Sequence, residues 1–455
     1  MYFHHCRVGL GDNGQTYCWG YNGFGQLGNG GNTSSNTPVE VKQGEYLLHG
    51  DLNDDNRISM EDFRIWLDIY RKYKGEMTPP DEEVPPGETP PGVELPPDEE
   101  VPPGEDMPPG ENMPPGEGLT STLISVGSRT TCNINGDGQA YCWGFGFEGQ
   151  LGNGDNADSN IPVAVKQGAI PNNVKLTSIS TEASRVFSIG DDGKAYCWGN
   201  YLSLGPNPVT SNVPVATPLG EIPSGVRLTS IGVGNRHGCA LGSNNRVYCW
   251  DDDNNNIAPI LIPFPAGVTS FSNLSVGSSH TCALGNNQKA YCWGLNSYGQ
   301  LGDGSRDSRD KRTTPVEVKQ GAIPNTVKLV SISAGARHTC AIGSDNKGYC
   351  WGNNDYGQLG NNSNTQSEIP VLVLLPTGVS SLESISAGGY HTCGIGNGKT
   401  YCWGRNDYGQ LGDRSNQGRL QAVPVSLPSG VVFTTVSSGN LHTCAYVSST
   451  GKTYC

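Results

Sequence analysis

Variants of the segment Cys282-Ala-Leu-Gly-Asn-Asn-Gln-Lys-Ala-Tyr-Cys-Trp-Gly294 occur eight times in this chain of 455 residues. A typical copy has a cysteine, a glycine-rich middle of about ten residues, and then Tyr-Cys followed by Trp-Gly. Self-similarity at a repeating interval indicates a repeat architecture. The period is 43 to 58 residues, as measured between the tryptophans that follow the second cysteine: Trp143, Trp198, Trp250, Trp293, Trp351 and Trp403.

One complete repeat supplies four short β-strands. Its predicted strands are Ser331–Gly335, His338–Ile342, Tyr349–Gly352 and a strand around Pro370–Val373, with turn residues between them. Four short strands per repeat are typical of a β-propeller blade. A single blade cannot bury both faces of its sheet, so the blades must stack in a ring.

The motif that follows the second cysteine resembles the repeat of the regulator-of-chromosome-condensation propeller family. It occurs as Trp19–Gly28, Trp293–Gly302 and Trp403–Gly412, with the shared pattern Trp-Gly-x-Asn-x-x-Gly-Gln-Leu-Gly. The resemblance covers nearly everything outside residues 45–118. It implies an all-β propeller of four-stranded blades and says little about function.

The two ends of the chain leave the number of blades open. Near its start the chain has His4-His5-Cys6, already inside a predicted hairpin, and it stops at Tyr454-Cys455, where other copies continue into Trp-Gly. A strand near Val436–Gly439 would complete the first blade and close a ring of seven, leaving the last hairpin spare. An eighth blade would explain that hairpin equally well. We expect seven blades in a chain clipped at both ends.

The fifteen cysteines are predicted to form seven disulfides within hairpins, leaving Cys197 alone because Phe187 occupies its partner position. A two-residue turn at Asn397-Gly398, or a three-residue loop such as Gly136–Gly138, places the two cysteines directly opposite each other. Their Cα separation then suits a disulfide. The predicted pairs are Cys6/Cys18, Cys132/Cys142, Cys239/Cys249, Cys282/Cys292, Cys340/Cys350, Cys393/Cys402 and Cys444/Cys455.

Two other roles fit the cysteines less well. Reduced core cysteines would not need to occur in register and in pairs, and no two cysteines have the close spacing of zinc ligands. Seven disulfides predict an oxidising compartment, so we expect a secreted or cell-surface protein. No apolar run reaches the length that spans a membrane. A signal peptide is not visible, which fits the expectation that the true start is missing.

An insertion at residues 45–75 has the pattern of a calcium-binding loop followed by an amphipathic helix. Oxygen ligands at positions 1, 3, 5, 9 and 12, with a backbone carbonyl at position 7, are what Ca²⁺ requires. The segment resembles one half of a type I dockerin, which implies a cohesin-like partner. The predicted ligands are Asp51, Asn53, Asp55, Arg57 through its carbonyl, Ser59 and Asp62.

Residues 76–118 follow with seven Pro-Pro pairs, thirteen acidic residues and no basic ones. This composition cannot bury a core and predicts an extended, disordered acidic spacer. We therefore divide the chain into a partial repeat at 1–44, the dockerin-like segment at 45–75, the spacer at 76–118 and the remaining repeats at 119–455.

Charge argues against nucleic acid as a partner. Residues 45–118 hold 20 of the 43 acidic residues and 5 of the 29 basic residues, so the rest of the chain is nearly neutral. A propeller without a basic field lacks the electrostatic footprint needed for nucleic acid.

The repeated histidines are predicted to be structural, since a residue present once per blade is more often a hydrogen-bonding group than a catalyst. No catalytic set stands out from the repeat, and no cofactor other than Ca²⁺ is predicted. These histidines precede the first cysteine of a hairpin by two residues: His4, His237, His280, His338, His391 and His442.

The sequence favours a non-catalytic binding scaffold that contacts a protein or glycan partner through propeller loops. The loops that depart most from the repeat are Tyr201–Pro206, Asp251–Asn256 and Ser305–Arg312. One alternative is a guanine-nucleotide exchange regulator, as the family resemblance implies. Another is a non-catalytic, dockerin-bearing component of a polysaccharide-degrading complex in bacteria.

Overall fold

Seven four-stranded antiparallel sheets make up the described part of the molecule. The computed structural model describes residues 16–41, 123–202, 209–251, 256–427, 433 and 435–446. The predicted all-β propeller with seven blades is confirmed. The predicted calcium-binding segment and acidic spacer lie outside the described residues, and their predictions stay open.

The chain divides into two compact units, one of Met1–Gly44 with Leu119–Cys455 and one of Glu45–Gly118. The first unit contains all the described strands. In chain order they are β1 (Thr16–Gly20), β2 (Ser35–Glu40), β3 (Leu123–Val126), β4 (Thr130–Ile134), β5 (Ala140–Gly144), β6 (Ser159–Ala164), β7 (Leu176–Glu182), β8 (Arg185–Gly190), β9 (Ala195–Leu202), β10 (Val209–Ala216), β11 (Leu228–Val233), β12 (His237–Gly242), β13 (Val247–Asp251), β14 (Asn256–Leu261), β15 (Phe271–Val276), β16 (His280–Gly285), β17 (Ala290–Asn296), β18 (Asp307–Glu317), β19 (Leu329–Ala334), β20 (His338–Gly343), β21 (Gly348–Gly352), β22 (Ser367–Leu372), β23 (Ser384–Ala387), β24 (His391–Gly396), β25 (Lys399–Gly404), β26 (Arg419–Pro424), β27 (Thr435–Ser438) and β28 (His442–Tyr446).

Six blades each use four consecutive strands: blade I is β3–β6, blade II β7–β10, blade III β11–β14, blade IV β15–β18, blade V β19–β22 and blade VI β23–β26. Blade VII instead combines the two ends of the described chain in the order β27-β28-β1-β2. The ring is therefore closed by two strands from each end. The last hairpin strand, β28, is part of the closing blade and is not spare.

Glycine and asparagine turns set the register of the central hairpin in each blade. Asn397 and Gly398 both have positive φ, 49° and 67°, as the predicted two-residue turn requires. Gly138 has a φ of 81° in the three-residue version of the turn. Both turns place cysteine opposite cysteine, as in the pairing of Cys393 with Cys402.

Five of the seven predicted cysteine pairs lie at disulfide distance, with Cα separations of 4.1 Å. They are Cys132–Cys142, Cys239–Cys249, Cys282–Cys292, Cys340–Cys350 and Cys393–Cys402.

The other two predicted pairs involve Cys6 and Cys455, which are outside the described residues. Cys197 lies opposite Phe187 and is buried, as the missing partner position predicts. Burial raises the pKa of the Cys197 thiol to about 12, so this thiol stays protonated at neutral pH.

The hydrophobic core lies between blades as well as within them. One cluster joins Cys282 and Leu301 of blade IV to Ile332, Tyr349 and Trp351 of blade V. Because each blade covers the apolar face of its neighbour, these core residues are removed from water. No helix in the described residues is long and apolar enough to cross a membrane.

Candidate functional site

The Trp-Gly-x-Asn-x-x-Gly-Gln-Leu-Gly motif forms a fixed loop at one face of the ring. In blade VI the Asn406 side-chain oxygen accepts a hydrogen bond from the Leu411 backbone N–H at 2.9 Å. The Asn406 amide donates to the carbonyl oxygens of Ser415 and Gln417. Leu411 is fully buried. The asparagine thus fastens both arms of the loop, and Asn22, Asn296 and Asn354 make the same bond to their leucines.

The glutamine of this loop clamps the next blade. The Gln358 carbonyl oxygen accepts hydrogen bonds from Trp403 Nε1 at 3.0 Å and from the Thr392 hydroxyl at 2.8 Å. The Thr392 hydroxyl also lies 2.9 Å from His338 Nε2, so one buried network links blades V and VI. Trp19, Trp198 and Trp351 donate to the equivalent glutamine carbonyls.

The repeated histidines therefore lie in contacts between blades. His280, His338 and His391 are fully buried, and each has its Nε2 within 2.9 Å of a threonine hydroxyl in the following blade. Burial lowers the pKa of each of the three to about 3. They are neutral at physiological pH, and their surroundings are protein side chains at blade interfaces.

The same loops display aromatic and arginine side chains around part of the face. The Gln358 side-chain oxygen accepts the Tyr356 backbone N–H at 3.0 Å, and Gln410 holds Tyr408 in the same way. Residues of this kind contact one another across blades IV, V, VI, VII and I. We call them the aromatic belt: Tyr21, Phe24, Arg129, Phe145, Phe147, Tyr298, Arg337, Tyr356, Tyr390, Arg405 and Tyr408.

Arginines alternate with rings in the belt. The Arg337 guanidinium lies 4.7 Å from the Tyr298 ring centroid and 5.5 Å from that of Tyr390. The Arg405 guanidinium lies 5.0 Å from the Tyr356 ring, and Tyr356 meets Tyr390 edge to face at 5.5 Å. Stacking of this kind holds the guanidinium groups in place while their edges remain able to donate hydrogen bonds.

The belt is partly open to solvent. Phe147 is 70% exposed and Tyr356 is 39% exposed, whereas Tyr298, Tyr390 and Arg337 are half-buried. Within the residues that the structure describes, no carboxylate pairs with Arg337, while Arg405 pairs with Asp407 at 2.6 Å. The belt thus presents apolar rings and at least one uncompensated positive group on the same surface.

An axial channel opens inside the belt. In the other blades the inner strand leads into a turn near the axis that contains a glycine, such as Gly335. In blade II Glu182 occupies the position of this glycine. The Glu182 carboxylate accepts hydrogen bonds from the Ser128 and Ser278 hydroxyls of other blades. Burial raises its pKa to about 7. The channel cavity is about 120 Å³, and Glu182 is the only ionisable residue in its described lining.

The loops that the sequence singled out belong to blades II, III and IV. Residues 203–208 and 252–255 are outside the described residues, so most of Tyr201–Pro206 and Asp251–Asn256 is not assigned a structure. Asp251 ends β13, and the Ser305–Arg312 segment enters β18, where Lys311 pairs with Asp251 at 2.7 Å. These two departures therefore meet at the interface of blades III and IV.

A small cavity adjoins that ion pair. Its volume is about 80 Å³, and its lining includes His237, Trp250, Trp293 and Lys311. Blade III lacks the Gly-Gln-Leu-Gly sequence that occurs in blades I and IV to VII. In the described ranges, no three His, Cys, Asp or Glu side chains come together as a metal site.

Sequence reasoning missed the belt as a site. Tyr298, Tyr356 and Tyr408 occupy consensus positions of the repeat, whereas the predicted binding loops are those that depart from the consensus. A signal was present in the pairing of an aromatic residue before Gly-Gln-Leu-Gly with an arginine before His-Thr-Cys, as in Arg337.

Profiles of known families match this chain over most of its length. The RCC1-like domain profile matches residues 95–445, and the regulator of chromosome condensation (RCC1) repeat matches residues 13–46. The Arabidopsis thaliana ultraviolet-B receptor UVR8 is 27% identical over 312 residues, which are 64% of this chain and 68% of that protein. Human regulator of chromosome condensation is 26% identical over 355 residues, covering 70% of this chain and 81% of that protein.

Similarity also extends to one segment of a much larger protein and to solved structures. The human E3 ubiquitin-protein ligase HERC2 is 27% identical over 338 residues, but these are only 7% of its length. The crystal structure of Prp20p from Saccharomyces cerevisiae superposes with a TM-score of 0.67 at 16% identity, covering 97% of this chain and 92% of that one. Human WBSCR16 superposes with a TM-score of 0.61 at 17% identity, covering 72% of this chain and 87% of that one.

Proposed function

We propose, from the premise that this chain belongs to the RCC1-like domain family, that it is a non-catalytic scaffold that binds a protein partner through its aromatic belt. The observation that carries this proposal is the set of partly exposed tyrosine, phenylalanine and arginine side chains that contact one another across neighbouring blades. The likeness in fold to Saccharomyces cerevisiae Prp20p also supports a protein partner, since Prp20p binds Gsp1p and histones.

The composition of the belt is that of a binding hot spot. Tyrosine and arginine are enriched among the residues that contribute most to protein interfaces, because they bury large area and still donate hydrogen bonds. Here the side chains are already ordered by stacking, as Arg337 is between Tyr298 and Tyr390. Binding would therefore order few additional rotamers, which lowers the entropic cost of association.

The positive charge of the belt indicates which chemical group a partner would place against it. Arg337 has no carboxylate partner in the described part of the chain, so a carboxylate of the partner would form a charge-assisted hydrogen bond with it. The apolar rings on either side would exclude water from this bond. A protein surface with an acidic residue set among apolar ones fits the belt better than a nucleic-acid backbone does, because the propeller as a whole is nearly neutral.

We expect Arg337→Ala and Tyr356→Ala together to abolish partner binding. Loss of two hot-spot residues weakens a complex by roughly 30-fold or more. Wild-type and variant proteins, immobilised at equal density, are compared for retention of proteins from the native surroundings by quantitative mass spectrometry. Leu219→Ala is the matched control, since Leu219 is 57% exposed but lies in the loop between β10 and β11.

A partner that is retained by wild-type protein and by the Leu219→Ala control, and lost by the belt double variant, supports the proposal. Equal retention by all three proteins contradicts it. Retention by the belt variant with loss from the control would place the binding surface at Leu219 and would also contradict the proposal.

We further propose that the protein works in an oxidising compartment, at the cell surface or outside the cell. Five cysteine pairs at disulfide distance, each fully or nearly buried, support this. A free-thiol count on denatured, unreduced protein from the native host should give between one and three thiols per chain. Fifteen thiols would contradict the proposal and favour the intracellular exchange-regulator alternative.

The thiol of Cys197 should be counted only after denaturation. It is buried, and its raised pKa keeps it protonated, so alkylating reagents should not modify it in the native protein.

The Ca²⁺ site, the cohesin-like partner and a glycan ligand remain predictions from sequence.

A further inference from the structure

The closing blade contains two cysteines that are far apart in sequence and adjacent in space. Cys18 of β1 lies directly opposite Cys444 of β28. Their sulfur atoms are 3.1 Å apart, although 426 residues separate them along the chain. Both residues are fully buried.

The register of this pair is that of the disulfides in other blades. In blade V, Cys340 of the second strand lies opposite Cys350 of the third. In blade VII the second strand is β28 and the third is β1, so Cys444 and Cys18 occupy the same two positions. The only difference is that the chain does not run directly from one strand to the other.

Strand geometry favours this pairing over the local one that the sequence predicts. A strand has two hydrogen-bonding edges, and those of β1 are taken by β2 and β28. The sequence-based pairing of Cys18 with Cys6 assumed that the segment around Cys6 forms the hairpin partner of β1. In the structure β28 occupies that edge.

We propose that Cys18 and Cys444 form a disulfide that closes the propeller ring covalently. The bond joins the strands contributed by the two ends of the described chain, at the one blade where no backbone connection holds the second and third strands together. It is a different kind of bridge from the five others, each of which spans 9 or 10 residues within one hairpin.

The bond can form by thiol–disulfide exchange without an added oxidant. The Cys444 thiolate attacks the Cys18 sulfur of a Cys6–Cys18 disulfide along the 3.1 Å contact, the Cys18–Cys444 bond forms, and Cys6 leaves as a thiolate. One disulfide and one thiolate are present before and after the step. Cys18 carries a disulfide in this structure and Cys444 does not, so the local pairing would be the bond that this step replaces.

The distribution of methionine allows a direct test. The five methionines are Met1, Met60, Met77, Met107 and Met113, so cyanogen bromide in acid cuts the chain only near its start. Residues 2–60 then carry Cys6 and Cys18 alone, and residues 114–455 carry the other thirteen cysteines. The full, oxidised chain is alkylated at low pH, cleaved and run on a gel with and without reductant.

We expect the fragments 2–60 and 114–455 to stay joined without reductant and to separate with it. Fragments that separate without reductant would overturn the proposal, because all bonds of Cys18 would then be local. Mass spectrometry of the joined product should find a peptide pair containing Cys18 and Cys444.

Two matched variants identify the sulfur atoms. Cys6→Ser should keep the fragments joined, whereas Cys444→Ser should release them. The opposite result, release in Cys6→Ser with joined fragments in Cys444→Ser, would contradict the proposal. If Cys444→Ser fails to fold, the peptide pair from wild-type protein still decides between the two bonds.

Discussion

Replacing Trp403 by alanine is expected to lower the free energy of unfolding by about 4 kcal/mol, the range observed for large aromatic truncations in cores. Trp403 is fully buried, and its indole nitrogen donates to the Gln358 carbonyl of the preceding blade at 3.0 Å. The indole also lies against Gly360, where any side chain would collide with it. The substitution therefore leaves a cavity at one interface between blades and removes one of the two hydrogen bonds that the Gln358 carbonyl accepts.

Urea unfolding of the disulfide-intact protein, followed by far-ultraviolet circular dichroism, measures this effect. Phe147→Ala is the control, because Phe147 is also aromatic but is 70% exposed. We expect the control to change the free energy of unfolding by less than about 0.5 kcal/mol. Equal losses for the two variants would show that the tryptophan clamp does not hold neighbouring blades together.

Lowering the pH below 6.5 is expected to destabilise the ring steeply. Burial lowers the pKa of His280, His338 and His391 to about 3 in the folded state, against an ordinary value of 6.5. The stability contributed by keeping these groups neutral is therefore fully present above pH 6.5. It is lost as the pH falls from 6.5 towards 3, because the unfolded chain binds protons that the folded ring excludes.

Each buried histidine lowers the free energy of unfolding by about 1.4 kcal/mol for every pH unit of acidification, over the range in which the unfolded histidine is protonated and the folded one is not. Glu182 acts in the opposite sense, since burial raises its pKa from 4.5 to about 7 and the folded state holds the extra proton between those values. Its contribution is present below pH 4.5 and is lost as the pH rises through 7.

Two variants separate the histidine contribution from the Glu182 contribution when urea unfolding is measured between pH 6 and 5. His338→Gln should flatten the dependence of stability on pH by about 1.4 kcal/mol per unit, and Glu182→Gln should steepen it by a similar amount. A wild-type profile that is flat over this window would contradict the neutral, buried state of the histidines. So would a profile that His338→Gln leaves unchanged.

Much of the fold was predictable because its unit is local. The hairpin from Cys393 to Cys402 is specified by the Asn397-Gly398 turn between its strands, and both turn residues have the positive φ that such a turn requires. Cys197 could be assigned as unpaired from Phe187 alone. Seven blades of four strands followed from repeating such units, since one blade buries its faces only against neighbours.

The candidate site was less predictable because its contacts are between repeats. Arg337 stacks on Tyr298 of the preceding blade and Tyr390 of the following one, and each of the three appears in sequence as an isolated residue. Their distances depend on how far each blade is rotated from the next. The interface ion pair of Asp251 and Lys311 likewise joins two loops that the sequence identified separately.

The β-propeller, the register of the cysteines in five of the hairpins and the loops between the third and fourth strands are predictable from sequence, because they depend on contacts within about ten residues. How the ring closes, which cysteine faces Cys18 and where the aromatic belt runs depend on tertiary contacts. These features join residues as far apart as 426 positions. Only closure of the seven-bladed ring brings such residues together. Local turn signals and the repeat period carry no information about contacts between residues so far apart in the chain.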